Sequence, residues 1–198
     1  LHEGARPAPV SVYGHAKRDA ELCAITYSKD LPLTIVRPSA VFGPWDRTLL
    51  GVFRTVARGV HVVPGNGSSL MSLVDARDLA EAIVEASQRG ERVNGPEGAP
   101  ERGLYFISGS EHPTYGALGA LVARAMDRPD PRILHLPRSV ARWGAAVSES
   151  LARVRDRSTV LNRDKILEAH SGHWICQSEK AARELGWCTA RDLEVRMA

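Results

Sequence analysis

No stretch of this 198-residue chain approaches the run of ~18 apolar residues that a membrane span requires, and its opening, Leu1-His2-Glu3-Gly4-Ala5-Arg6-Pro7, has none of the features of a secretory leader. Cysteine is scarce. Cys23, Cys176 and Cys188 are odd in number and lack paired spacing, which argues against a disulfide framework and for a reducing compartment, with the cytoplasm as the default expectation. Charge of one sign is also missing: 26 basic residues stand against 23 acidic ones, spread along the chain, so the net +3 gives nucleic acid no concentrated surface. No internal repeat is visible. What remains is an ordinary globular composition, 43% hydrophobic, sufficient for a sizeable core in one or two lobes.

The most informative stretch is Tyr13-Gly14-His15-Ala16-Lys17, which opens a segment predicted to be helical from about Val12 to Lys29. Residues four apart on a helix share a face, so Tyr13 and Lys17 can reach one bound molecule. A nearby ammonium favours a phenolate over a phenol, and such a pair can exchange a proton with a substrate hydroxyl or carbonyl. Leu22, Ala24, Ile25 and Tyr27 give the same helix an apolar side, and Asp30 to Pro32 stops it.

Downstream, Leu33 to Val36 reads as a short parallel strand covered on both faces, after which Pro38 takes the chain out of the sheet. Leu49 to Arg58 is predicted helical and ended by Gly59; His61 to Pro64 is a strand before the Gly65-Asn66-Gly67 turn. Ser72 to Val74 is strand-like. Asp75 caps the next helix, whose buried stripe is Leu79, Ala82, Ile83 and Ala86. Gln88 to Gly103 reads as a mobile surface loop, and Leu104 to Ile107 as a strand. Thr114 caps a helix to Met126 that Pro129 and Pro131 end, and Ile133 to Leu136 is a brief strand. Pro137 to Arg155 reads as a long helix with Val140, Trp143, Val147, Leu151 and Val154 on one side, packed on its own lobe. Asn162 to Ala169 and Ser178 to Leu185 are further short helices.

Several of these segments together resemble the short-chain dehydrogenase/reductase family, in its extended branch of NAD(P)-dependent epimerases, dehydratases and reductases. The resemblance rests on Tyr13-x-x-x-Lys17, then Arg37-Pro38-Ser39-Ala40-Val41-Phe42-Gly43-Pro44, Val74-Asp75-Ala76-Arg77-Asp78-Leu79-Ala80, Tyr105-Phe106-Ile107-Ser108-Gly109 and Ser178-Glu179-Lys180-Ala181-Ala182-Arg183-Glu184-Leu185-Gly186-Trp187, in family order. It implies an α/β chain, the C-terminal portion of a Rossmann-type doubly wound parallel sheet plus a smaller mixed α/β substrate lobe. Residues 1–42, 72–90 and 103–110 would belong to the former, and 43–71 with 111–198 to the latter. The sequence carries no Gly-x-Gly-x-x-Gly at a strand-to-helix turn; Gly65-Asn66-Gly67 lacks the third glycine and the helix. The expectation is therefore a piece that begins midway through the family pattern.

The resemblance also implies a cofactor, NAD or NADP, and a small-molecule substrate, with hydride moving between the nicotinamide and a secondary alcohol or ketone. Tyr13 is the implied acid/base, and Lys17 its neighbour and the holder of the nicotinamide ribose. Pro38, Ser39 and Val41 flank the nicotinamide, while Trp45, Arg47, Leu70 and Met71 line the substrate side. Nucleotide-sugar members carry a diphosphate-gripping arginine where this chain has Met71, and a methionine cannot pair with phosphate, so an uncharged, more apolar substrate is expected, as in dihydroflavonol reductases and 3β-hydroxysteroid dehydrogenases. Nucleotide-sugar epimerisation and a non-catalytic dinucleotide-sensing scaffold are the alternatives. A homodimer would form through the Tyr13-containing helix and its neighbour. His170, His173 and Cys176, with Cys188 as a fourth, have metal-like spacing, but an extended run alternates its side chains between faces and the resemblance places no metal here, so none is expected.

Overall fold

A computed structural model describes residues 1–95, 98, 101–137, 175–189 and 192–198. The helices expected at Pro137–Arg155 and Asn162–Ala169, and His170 and His173, lie outside the described residues. The chain divides into two compact units, one drawn from Leu1–Pro44, Ser72–His112 and Trp174–Leu193, the other from Trp45–Met71, Pro113–His173 and Glu194–Ala198.

In the first unit, α1 (Val12–Thr26) starts at Ser11, whose hydroxyl accepts from the Gly14 amide at 3.0 Å. No residue of α1 is buried: Leu22 and Tyr27 of its expected apolar side are 50% and 56% exposed. The strand that follows is shifted from its expected place. The Leu33 carbonyl accepts from the Val93 amide and the Thr34 hydroxyl donates to the Glu91 carbonyl, so both residues are taken by a loop, and β1 runs Ile35–Pro38, half-buried and parallel to β5 (Leu104–Ile107).

Pro38 does not end the sheet run. The Ser39 amide donates to the Ile107 carbonyl, the next amide, of Ala40, donates to Ser72, and β2 (Ala40–Phe42) continues parallel to β4 (Leu73–Asp75). The Leu73 carbonyl also accepts from Gly109 just beyond β5, so β4 enters between the two strands as they part. The chain changes partner at Ser39.

Asp75 caps α3 (Ala76–Arg89) through a 2.8 Å bond from the Arg77 amide. The buried line of α3 is Asp78, Ala82 and Ala86, spaced by four; Ile83, expected in the stripe, is 48% exposed. Alanines on that line let α5 (Glu179–Leu185) approach, and Ala82, Ala86, Ala181, Leu185 and Trp187 close over Val74, Tyr105 and Ile107 as the core. The expected mobile loop is anchored at both ends: Arg92 donates to the Thr34 hydroxyl at 2.7 Å, and Lys180 to the Glu101 carbonyl at 2.6 Å.

In the second unit, Asp46 caps α2 (Arg47–Val56), which leads into β3 (Val60–Pro64). Thr114 caps α4 (Tyr115–Ala125), and β6 (Arg132–Leu136) pairs parallel with β3. His61 is buried under α4, its Nε2 donating to the Tyr115 carbonyl at 2.9 Å. A Cβ on Gly119 would lie 2.5 Å from the His61 ring, so only glycine lets the helix sit this close. The short α6 (Leu193–Met197) ends the chain, Arg124 of α4 donating to its Glu194 at 2.8 Å.

Candidate active site

The expected cofactor-side residues lie on two elements of the first unit. Tyr13 and Lys17 occupy the first and second turns of α1, both exposed, Tyr13 by 65%. Pro38, Ser39 and Val41 follow one another along the β1–β2 run, where the four strands among the described residues of the unit are parallel and the ends of β1 and β5 stand in register, Pro38 opposite Ile107. Ligands of open α/β sheets gather outside such carboxyl ends. Pro38 and Val41 are open to solvent, whereas the Ser39 hydroxyl is buried and has no hydrogen-bond partner among the described residues. A buried hydroxyl without a partner costs about 1–3 kcal/mol.

Two residues that reasoning from sequence missed stand beside this pair of elements. The Arg37 guanidinium grips both carboxylate oxygens of Glu21, with Nε 2.9 Å from Oε2, and its Cζ lies 5.6 Å from the centre of the Phe106 ring. The readable signal was the continuation of the Tyr13–Lys17 spacing to Glu21, and an arginine directly before Pro38. Deeper in the unit, Asp75 is 2% exposed and paired with Arg77, whose guanidinium is held above its already high range by that hydrogen bond and charge. Cys176 is buried, which pushes its thiol up, away from the reactive thiolate. Its amide donates to the Ser72 hydroxyl at 3.1 Å, and that hydroxyl in turn meets His112 Nδ1 at 3.0 Å.

The expected substrate-side residues lie in the second unit. Trp45 is 97% exposed and has φ +74°, a left-handed backbone that a bulky side chain rarely adopts. Next to it Asp46 accepts from the Thr48 and Leu49 amides at 2.7 and 3.0 Å, which fixes the first turn of α2, where Arg47 is exposed. Leu70 bridges Thr114 in antiparallel fashion and the Met71 amide donates to Pro113 at 3.0 Å, so both half-buried side chains sit on a short arm stitched to the start of α4. No arginine or lysine lies between Gly59 and Arg77 to stand in for the charge absent at Met71.

Comparison with known proteins shows what the chain is similar to. Residues 2–98 match the NAD dependent epimerase/dehydratase family. Over those residues, just under half of its length, the chain is similar to that family. The decarboxylating sterol-4-alpha-carboxylate 3-dehydrogenase of Saccharomyces cerevisiae is 29% identical over 180 residues, covering 87% of this chain and 51% of the yeast protein. The chloroplast stem-loop binding protein of 41 kDa b of Arabidopsis thaliana is 26% identical over 180 residues, covering 89% of this chain and 41% of that protein. Among solved structures, RMD of Pseudomonas aeruginosa complexed with NADPH superposes with a TM-score of 0.72 at 14% identity, covering all of this chain and 57% of the other. The fold is thus the Rossmann-type α/β fold, and the chain spans about half the length of these relatives. The matching family is NAD dependent, and RMD holds NADPH. Among the described residues, no helix is long and apolar enough to cross a membrane.

Proposed function

We propose that this chain carries the acid/base pair and the substrate lobe of an NAD(P)-dependent oxidoreductase acting on a secondary alcohol or ketone of largely apolar body. The observation that carries the reading is the placement of Tyr13 and Lys17 one turn apart on an open helix face, with the unsatisfied Ser39 hydroxyl at the strand crossover of the same unit. That orphan hydroxyl fits a site made for a polar ligand, which would relieve its unpaired burial. Lys17, Ser39 and the exposed Pro38 and Val41 would hold the nicotinamide end of the dinucleotide. Bound there, the nicotinamide supplies or accepts the hydride.

The remaining chemistry falls to the protein. The Tyr13 phenolate takes the proton from the substrate alcohol, becoming the phenol, as the alcohol becomes a carbonyl, and the phenol gives it back in the reverse direction. Lys17 stabilises the phenolate by its charge and donates to a ribose hydroxyl. On the substrate side, Trp45, Leu70 and Met71 would offer apolar side chains, Arg47 a single charge, and Met71 no grip for a diphosphate. The sterol named for the yeast relative agrees with that preference. The stem-loop binding named for the plant relative is not carried over, because the charge of this chain is balanced and dispersed.

The test uses the complete gene product, incubated with NAD or NADP and a panel of secondary alcohols that includes sterols. Reduction of the nicotinamide, followed by its absorbance, is expected with apolar alcohols. Tight binding of UDP-glucose by calorimetry would overturn the substrate preference.

A further inference from the structure

We propose that Glu21 and Arg37 form a positioning clamp that sets the rotation of α1 and thereby aims Tyr13 and Lys17. The proposal rests on the acid/base reading of that pair. A helix with a buried apolar stripe is held in rotation by its packing, but α1 buries no residue at all. One link from α1 to the sheet is ionic. The guanidinium of Arg37 meets both Glu21 oxygens, the two side chains are only 22% and 20% exposed, and the Phe106 ring of β5 backs the guanidinium at 5.6 Å. A planar fork engaging a planar carboxylate fixes direction as well as distance, which a single point charge does not.

The spacing gives the clamp its reach. Tyr13, Lys17 and Glu21 follow at intervals of four, and each interval advances about 6 Å along the axis while drifting about 40° around it. Pinning Glu21 therefore fixes where Lys17 points, one interval away, and where Tyr13 points, two intervals away. At the other end of the pin, Arg37 directly precedes Pro38 and Ser39. One ion pair thus ties the acid/base helix to the strand end proposed to flank the nicotinamide. Removing one partner leaves the other half-buried and uncompensated, so α1 loses its reference to the sheet.

The test compares Glu21→Gln, Arg37→Lys, Glu85→Gln and Tyr13→Phe in the complete protein. Glu85 pairs with Arg89 within α3 and serves as a control for loss of a half-buried ion pair elsewhere in the same unit. Glu21→Gln is expected to lower kcat by about tenfold or more, as displacement of reacting groups by an ångström does, and to raise KM for the dinucleotide, because Lys17 also holds the ribose. The pH–rate profile should move to higher pH, because Lys17 no longer sits where it favours the phenolate. Arg37→Lys, which keeps the charge but loses the fork, should show the same kcat loss and the same shift, and carries the test should Glu21→Gln fail to fold. Glu85→Gln should behave as wild type. Wild-type kcat and pH profile in both clamp variants, with Tyr13→Phe inactive, would overturn the clamp and leave the acid/base reading standing. An active Tyr13→Phe would overturn the reading beneath it.

Discussion

The ammonium of Lys180 sits 4.7 Å over the ring of Tyr105, and the hydroxyl of the same tyrosine donates to Glu184 at 2.9 Å. Tyr105 is fully buried, and its oxygen also accepts from the Glu91 amide at 2.9 Å, so one phenol joins β5 to α5 and to the loop after α3. Tyr105→Phe keeps the ring and its contact with Lys180 but strands the Glu91 amide. A loss of about 1–2 kcal/mol is expected, seen as a lower melting temperature. An unchanged melting temperature would show that water replaces the hydroxyl without cost.

Burial foremost, with the Glu184 carboxylate adding to it, pushes the Tyr105 hydroxyl up to about 12 from its ordinary value of 10. The folded state therefore favours the protonated phenol. The stability this contributes is complete below about pH 10 and is lost as pH rises through about 12. Alkaline melting curves should fall over that window in wild type and less steeply in Tyr105→Phe. Parallel curves would place the alkaline transition elsewhere.

The mirror case is Glu91, whose carboxyl is held below its ordinary 4.5 by the hydrogen bond from Lys180. Its contribution is present above about pH 4.5 and fades as pH falls through the lowered value. Half exposed, it is screened, so Glu91→Gln should flatten the acid limb only slightly. A large change would mean that the Lys180 network depends on Glu91 more than its exposure allows.

Gly119 sits mid-helix, where alanine would ordinarily gain about 1 kcal/mol in helix propensity. Here the added Cβ would meet the His61 ring at 2.5 Å, and overpacking of that kind costs about 1–3 kcal/mol. Gly119→Ala should therefore destabilise the second unit. A stabilised variant would show that α4 can shift away from β3 freely.

The features legible from sequence were those written locally. Asp75 and Thr114 cap the helices that follow them because their side chains reach amides two or three residues away. Tyr13 and Lys17 share one helix for the same local reason. What could not be read depends on distant neighbours. The change of partner at Ser39 exists because β4, some thirty residues on, enters between strands. The burial of His61 depends on Gly119 in α4, and the exposure of Ile83 on Ala181 and Leu185 of α5, which join the Ala82–Ala86 line in the core. The solvent-facing side of α1 shows the same limit from the other direction: Leu22 and Tyr27 make an apolar pattern that nothing among the described residues covers.

Trp45→Gly separates stability from binding. Glycine relieves a left-handed backbone that costs a bulky residue about 1–3 kcal/mol, and the 97% exposed side chain gives up no packing. The variant should melt higher and bind an apolar substrate less well. Unchanged substrate affinity would remove Trp45 from the substrate side.

The 198-residue chain by itself should show no rise in melting temperature with NAD(H) or NADP(H), because the glycine-rich turn whose amides hold a pyrophosphate is absent from its sequence. Its exposed Val12, Tyr13, Leu22, Tyr27 and Leu31 should also drive self-association. A monomer stabilised by dinucleotide would contradict both expectations.

The central claim is tested most directly by the turnover of Tyr13→Phe in the complete protein, measured beside its dinucleotide affinity. The substitution removes one exchangeable proton from a side chain that is 65% exposed, so folding is not at stake. Turnover should be nearly abolished while dinucleotide affinity stays close to wild type, whereas Lys17→Ala should damage both. Turnover of Tyr13→Phe within a few fold of wild type would contradict the account.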